Sequence, residues 1–155
     1  MKLLRFARLA PVCAMSIWAL TGASAAWAQL SPERAIRVRQ SSYYLMGHHM
    51  SRINATLKGD AAFDKASLES SATVLDLLGR LVADHYPAGS DTGNTRAKPE
   101  VWKEAARFKE LSKASQVEAA KLLGAVQSGN LDAIKAAYGS TTKSCKNCHD
   151  NFKAN

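Results

Sequence analysis

The run Cys-Lys-Asn-Cys-His at residues 145–149 constrains the fold of this chain more than any other feature. This C-x-x-C-H pattern is the attachment motif of c-type haem. On a helix, Cys145 and Cys148 lie on one side, and His149 lies about 40° around from Cys145, one turn further on. Each sulfur can then bond one haem vinyl group while the imidazole reaches the iron from the same side. The motif predicts one covalent haem c, with His149 as the metal ligand, and a fold that surrounds a large flat group.

Three other interpretations of the cysteine pair are less consistent with the sequence. A disulfide is the first expectation in an exported protein, but a histidine follows this pair directly. A redox C-x-x-C pair belongs at the start of a helix that follows a strand, and no strand pattern is found here. A structural zinc site needs a second ligand pair with matched spacing. His48 and His49 are adjacent, so a helix cannot direct both at one metal.

The first 28 residues have the pattern of a secretory signal peptide. Three basic residues precede an apolar, alanine-rich run over residues 9–26, and Ala-Trp-Ala at 26–28 predicts cleavage after Ala28. Removing 28 of 155 residues leaves 127, the size of one domain, at 29–155. Lysine plus arginine falls from 21 to 18 against 13 acidic residues, so the net charge falls from +8 to +5. We expect a periplasmic protein without a membrane anchor.

Four amphipathic helices with one long connection predict an all-α fold, an antiparallel four-helix bundle. Ser31 is a good N-cap followed by proline, and Gly59, Gly129 and Asn130 have the chemistry of helix ends. No stretch alternates apolar and polar residues as a strand does. The predicted helices run from 32 to about 58, from about 64 to 86, from 99 to about 128, and from 130 onward, with a loop at 87–98.

Apolar spacing predicts which side of each helix faces inward. On the first helix, steps of three and four join Ile36, Arg39, Tyr43, Met46, Met50, Ile53 and Leu57. On the second helix the predicted inward residues are Leu68, Leu75, Leu78 and Val82, widened by Val74, Leu77 and Leu81. On the last helix, Gly139 and Ser140 lower helix propensity, so we expect local weakness there.

The chain resembles cytochrome c′, the class II c-type cytochromes of Gram-negative bacteria, over the whole predicted mature segment. The resemblance implies a bundle with covalent haem, often a homodimer, whose iron is five-coordinate and has one protein ligand, His149. It also implies binding of NO and often CO, with electron transfer as an older proposal. We expect no enzymatic activity. The matching segments are 39–41, 45–46, 98–102, 131–139 and 145–150.

The resemblance also implies roles for five further residues. Arg39, followed by Gln40, matches an arginine near a haem propionate, although an arginine can also extend its charge to solvent from this helix face. Tyr43 aligns with the position that covers the vacant side of the iron. Tyr86 stands where an aromatic residue near the haem is expected. Lys153 matches a basic residue on the proximal side, or is simply an exposed lysine at a helix C-terminus.

Other functions and partners follow from the same residues. Met46 or Met50 could supply a sixth ligand and make a low-spin electron-transfer cytochrome. A peroxidase would need a distal histidine or carboxylate, which the inward side of the first helix lacks.

Lys143, Lys146 and Lys153 flank the motif and could attract an acidic redox partner. Nothing indicates nucleic-acid binding. The predicted homodimer face of the first helix contains Val38, Ser41, Leu45, His48 and Arg52.

Overall fold

The structure is a computed structural model that describes residues 30–154; the predicted signal peptide and its cleavage position lie outside them. The described segment forms four long helices and one short helix. A 3₁₀ turn, Val82–Asp84, directly follows the second helix. The helices are α1 Pro32–Lys58, α2 Lys65–Leu81, α3 Glu100–Lys103, α4 Ala105–Ser128 and α5 Leu131–Phe152.

Capping residues define the helix ends that the sequence predicts. The backbone N–H of Arg34 donates to Ser31 Oγ at 3.4 Å, and Asn130 Oδ1 accepts from the N–H of Ala133 at 3.0 Å. Gly59 and Gly129 end α1 and α4 with φ of 84° and 72°, a left-handed conformation that costs glycine little. The predicted bounds of α1 and of the start of α5 are therefore confirmed.

Three predictions on helix limits and packing are wrong. The α-helical part of α2 ends at Leu81, and the third predicted helix is broken at Glu104, where φ is −112° and ψ is 42°. Leu77 and Leu81 are 54% and 48% exposed, so they do not widen the inward face of α2. Helix α5 continues through Gly139 and Ser140 without a break, and the local weakness expected there stays a prediction.

The bundle packs α1 on α2, α2 on α4 and α4 on α5, and a much smaller contact between α1 and α5 closes it. One buried cluster contains Ile53, Leu75, Leu122 and Ile134, and a second contains Val101, Phe108 and Phe152. Residues of both clusters line one large cavity, which therefore lies between them.

The described residues contain no strand longer than an isolated antiparallel bridge between Ala97 and Lys153. None of the helices in this described part combines the length and the apolar character needed to span a membrane.

Candidate functional site

A cavity of about 570 Å³ lies inside the bundle, a volume typical of a small-molecule or cofactor site. Its walls come from α1, α2, α4, α5 and the connection before α3. The cavity brings together all eight residues that the sequence analysis selected, although their roles remain predictions. These residues are Arg39, Gln40, Tyr43, Tyr86, Cys145, Cys148, His149 and Lys153.

Helix α5 presents the C-x-x-C-H motif to this cavity. Both cysteines are free thiols, so the disulfide interpretation has no support. Burial raises the pKa of Cys145, and burial with the neighbouring Cys145 raises the pKa of Cys148 to about 11. The thiolate is the form that binds metals, and no group of three or more candidate ligands occurs in the described part of the chain. Two neutral thiols on an apolar wall suit covalent attachment to a cofactor better than a zinc site.

His149 and Tyr43 both line the cavity, and their rings are neighbours. The ring centroids lie 6.5 Å apart with ring planes at 75°, an edge-to-face arrangement near the long end of the range for aromatic pairs. Burial, reinforced by the charges of Lys153 and Arg96, lowers the pKa of His149. The neutral imidazole is the form that ligates metals. Two free thiols and a neutral imidazole on the wall of one cavity therefore fit a haem bound beside the phenol of Tyr43.

Tyr43 is held at the cavity by Tyr86. The two hydroxyl oxygens are hydrogen-bonded at 3.1 Å. Burial raises the pKa of both phenols, so both are neutral at physiological pH. The Tyr86 ring in turn packs against Phe108 and Trp102, with centroids at 4.8 and 5.9 Å. Tyr43 is therefore a neutral side chain on a fixed support, and a neutral phenol is a poor iron ligand.

Arg39 is buried, with 3% of its surface exposed, so the solvent-extended alternative is wrong. Its guanidinium lies over the rings of Tyr86 and Trp102, at 4.7 and 5.7 Å from their centroids, which are favourable cation–π distances. Burial lowers the pKa of Arg39, but an arginine stays charged in proteins. No acidic residue pairs with it among the described residues.

The same guanidinium fixes the connection between α2 and α3. Nη1 donates to the carbonyl of His85 at 3.3 Å and to Ser90 Oγ at 2.8 Å. Nη2 donates to the carbonyl of Ser90 and to Thr95 Oγ1 at 2.6 Å. Gln40 adds a bond from Nε2 to the carbonyl of Asn94 at 2.8 Å. The sequence predicts the loop but not this attachment, because hydrogen bonds between distant residues leave no periodic signal.

Two residues of the site carry contacts that sequence reasoning missed. Trp102 donates from Nε1 to the carbonyl of Tyr86 at 3.1 Å, which holds Tyr86 in place. Arg96 lines the cavity next to Lys153, and its Nε donates to the carbonyl of Ala154 at 3.0 Å. The resemblance already included Trp102 as part of a matching segment. Arg96 is one cation in a polar loop, so only the folded loop shows that it reaches the site.

Comparison with known proteins agrees with this geometry. The model of the family "Cytochrome C'" matches residues 34–153. A curated relative, cytochrome c′ of Alcaligenes xylosoxydans xylosoxydans, is 38% identical over 122 residues, 79% of this chain and 94% of the relative.

Solved structures give the same result. The nitric oxide complex of a cytochrome c prime variant from Alcaligenes xylosoxidans is 37% identical, with a TM-score of 0.75 over 81% of this chain and 98% of that one. A cytochrome c′ described by its unusual ligand-controlled dimer dissociation is 30% identical, with a TM-score of 0.76 over the same shares of the two chains.

Proposed function

Because the chain belongs to the cytochrome c′ family and is therefore a c-type haem protein, we propose that it binds small diatomic ligands, NO and CO, on the side of the haem that faces Tyr43. In this proposal Cys145 and Cys148 hold the haem and His149 is the one protein ligand of its iron. The observation that carries the proposal is the neutral phenol of Tyr43, which lies 6.5 Å from the His149 ring. The nitric oxide complex of a similar protein supports it.

The haem supplies an iron that binds the diatomic, and the residues of the chain control access to it. Tyr43 covers the site, and a ligand enters when this side chain swings aside. That movement breaks the hydrogen bond to Tyr86, a net cost of about 1 kcal/mol. Apolar side chains such as Met46, Leu75 and Phe108 line the walls and disfavour bound water.

Arg39 is proposed to bind a haem propionate as well as the loop. A buried charge without a counter-ion is costly, and the partners of Arg39 are neutral oxygens. Its four terminal N–H groups donate hydrogen bonds to residues 85–95, so the Nε–H group is the donor that remains for a carboxylate. Gln40 and Lys153 line the same cavity and complete the polar part of the site.

Absorption spectra of the ferric and ferrous protein, with and without NO and CO, test this function. A high-spin, five-coordinate spectrum that changes when CO is added to the ferrous form is the expected result. Mass spectrometry of the periplasmic protein should show residues 29–155 plus one haem. The bare polypeptide mass, after expression with the haem-maturation machinery, would contradict covalent attachment.

The alternative function is electron transfer by a low-spin, six-coordinate haem. It has one observation in its favour, because Met46 and Met50 line the same cavity as Tyr43. A low-spin ferric spectrum at neutral pH would support this alternative. Met46→Leu or Met50→Leu would then convert the protein to the high-spin form, whichever residue is the ligand. If Tyr43 only covers the iron, both variants keep the wild-type spectrum.

We place the protein in the periplasm because of its signal pattern, and we do not propose an enzymatic activity. Among the described residues that line the cavity, there is no aspartate or glutamate, and His149 is the one histidine. The distal acid–base group that a peroxidase needs therefore has no candidate in this lining.

A homodimer through the first helix completes the proposal. Leu45 on α1 is 44% exposed, and the outward sides of α1 and α2 are adjacent because Arg52 Nη2 donates to Ser67 Oγ at 2.5 Å. The exposed Leu77 and Leu81 of α2 can extend this apolar face beyond the residues that the sequence selected. A similar protein is a dimer that ligands dissociate. The exposed apolar side chains thus gain a partner in a second copy of the chain.

A further inference from the structure

A second, polar recess of about 320 Å³ adjoins the haem cavity at His149. Its lining includes Arg96, Lys98, Asp150 and Lys153, and His149 lines both spaces. Arg96 and Lys153 also line both spaces, so these three side chains form the boundary between the recess and the cavity. Any group bound in the recess lies next to the proposed iron ligand.

The recess has an excess of positive charge. Among the described residues of its lining the one carboxylate, Asp150, is already paired with Lys146, whose Nζ lies 2.6 Å from Oδ2. Lys98 Nζ donates to the main-chain carbonyl of Asp150 at 3.0 Å, which leaves the lysine charge unneutralised. Within the described part of the chain, Arg96, Lys98 and Lys153 form no ion pair. Three cations beside one paired carboxylate attract anionic groups.

Backbone hydrogen bonds fix the main chain that carries these cations. The N–H of Lys98 donates to the carbonyl of Phe152 at 2.9 Å, and the N–H of Ala154 donates to that of Arg96 at 2.8 Å. Ala97 and Lys153 form the isolated bridge between them. The loop and the end of α5 are thus joined around His149, and the recess does not depend on flexible segments.

From this arrangement we propose that the recess is the docking site for a protein that presents clustered carboxylates and exchanges electrons with the haem. The inference rests on the proposed haem site. A small anion would neutralise the charges, but a protein surface can engage all three cations at the rim. Complementary charges speed and orient such encounters. One electron passes between the haem and the partner's redox centre, and no atom or proton is transferred.

The oxidation of ferrous holoprotein by hexacyanoferrate(III), followed by stopped flow, tests the charge of the recess. Each hexacyanoferrate(III) takes one electron and becomes hexacyanoferrate(II). The test variant is Arg96→Glu/Lys98→Glu, and the control is Lys58→Glu/Lys65→Glu. Both lower the net charge by four, but Lys58 lies about 22 Å from Tyr43 along α1. At about 0.1 M ionic strength charges are screened within about 10 Å.

We expect the test variant to react at least about tenfold more slowly than wild type, and the control to change by less than about twofold. With tris(phenanthroline)cobalt(III), a cationic oxidant, the test variant should instead react faster. Equal effects in the two variants would overturn the proposal. If the haem spectrum or the helical circular dichroism of Arg96→Glu/Lys98→Glu differs from that of wild type, the milder variant Arg96→Gln/Lys98→Gln is used in its place.

Poly-L-glutamate distinguishes a protein partner from a small anion. It should slow the hexacyanoferrate reaction of wild type and leave the test variant nearly unchanged. No effect on wild type would mean that the recess accepts only small anions, which overturns the docking proposal. The CO-difference spectrum reports the coordination of the haem independently, so failure of the proposed ligand binding would be recognised separately.

Discussion

Tyr43 is the residue on which ligand access to the iron is proposed to depend. Tyr43→Ala removes the cover and should speed CO binding to the ferrous protein by at least about tenfold, which corresponds to about 1.4 kcal/mol of barrier. Tyr44→Ala is the matched control, since Tyr44 is the next residue and is 79% exposed. Flash photolysis measures both rates. If the two variants bind CO at the wild-type rate, Tyr43 does not cover the site.

The raised pKa of Tyr43 makes a separate prediction about pH. Tyr43 is 36% exposed, but desolvation of its phenol and the neighbouring Tyr86 still favour the neutral form in the folded state, whereas the unfolded phenol titrates near its ordinary value of about 10. Tyr43 therefore contributes its stability below about pH 10 and loses it as the pH rises further. The difference in free energy of unfolding between wild type and Tyr43→Phe should be constant from pH 6 to 9 and should shrink above pH 10. Urea unfolding across this range measures it, and a difference that grows above pH 10 would show the wrong sign.

Arg39 carries a buried charge and makes four hydrogen bonds to the connection after α2, whereas the neighbouring Gln40 makes one. Arg39→Met keeps an unbranched side chain but shortens it and removes these four hydrogen bonds. Bonds to a charged group contribute about 1.5–3 kcal/mol each and are not additive. We expect the holoprotein to lose about 3 kcal/mol or more in urea unfolding, with faster proteolysis within residues 87–98.

Arg37→Met provides the comparison for this loss, because Arg37 is exposed on the opposite side of the same helix turn. It should change the unfolding free energy by less than about 0.5 kcal/mol. Similar values for the two variants would show that the loop contacts of Arg39 contribute little to stability.

At the scale of single elements, the glycines of α4 and α5 predict effects of opposite sign. Gly139 lies inside α5, and a Cβ added there meets no atom within 4 Å. Gly139→Ala should therefore stabilise the protein by about 0.5–1 kcal/mol. Gly129 has φ of 72°, where a side chain costs about 1–2 kcal/mol, so Gly129→Ala should destabilise it. Unfolding midpoints in urea that move in the same direction would contradict this account.

Elements with local signals are the ones that the sequence predicts well. Ser31, Gly59 and Asn130 define helix ends through neighbouring backbone groups, so their chemistry is visible in a short segment. The break at Glu104 has no proline or glycine within the segment 100–104 to announce it.

Features that depend on distant residues were not predicted. The contacts of Arg39 and the position of Arg96 at the cavity form only when the loop has folded. The exposure of Leu77 depends on how the neighbouring helices pack against α2. The haem motif could be recognised in the sequence because the spacing of its residues along one helix sets their geometry.

At the scale of the whole molecule, the testable property is self-association. Leu45→Arg should abolish a dimer, since it places a charge in the proposed apolar interface. Val117→Arg on α4 is the control, because Val117 is similarly exposed, at 42% against 44%. Sedimentation velocity at micromolar concentration should show a wild-type dimer, a Leu45→Arg monomer and a Val117→Arg dimer. A face limited to two helices buries a modest area, so a weak dimer is expected, and a wild-type monomer at all concentrations would disprove it.

The cavity is lined by residues that are far apart in the order of synthesis, from Arg39 on α1 to Lys153 after α5. A chain made from its N-terminus exposes α1, α2 and the loop long before the cysteines appear. Helices α1 and α2, which supply part of the cavity wall, can therefore pack as a hairpin early. The complete site forms only when α5 packs against them. We expect haem attachment to compete in time with closure of the bundle, so that variants which speed folding of α4 and α5 lower the yield of haem-bound protein.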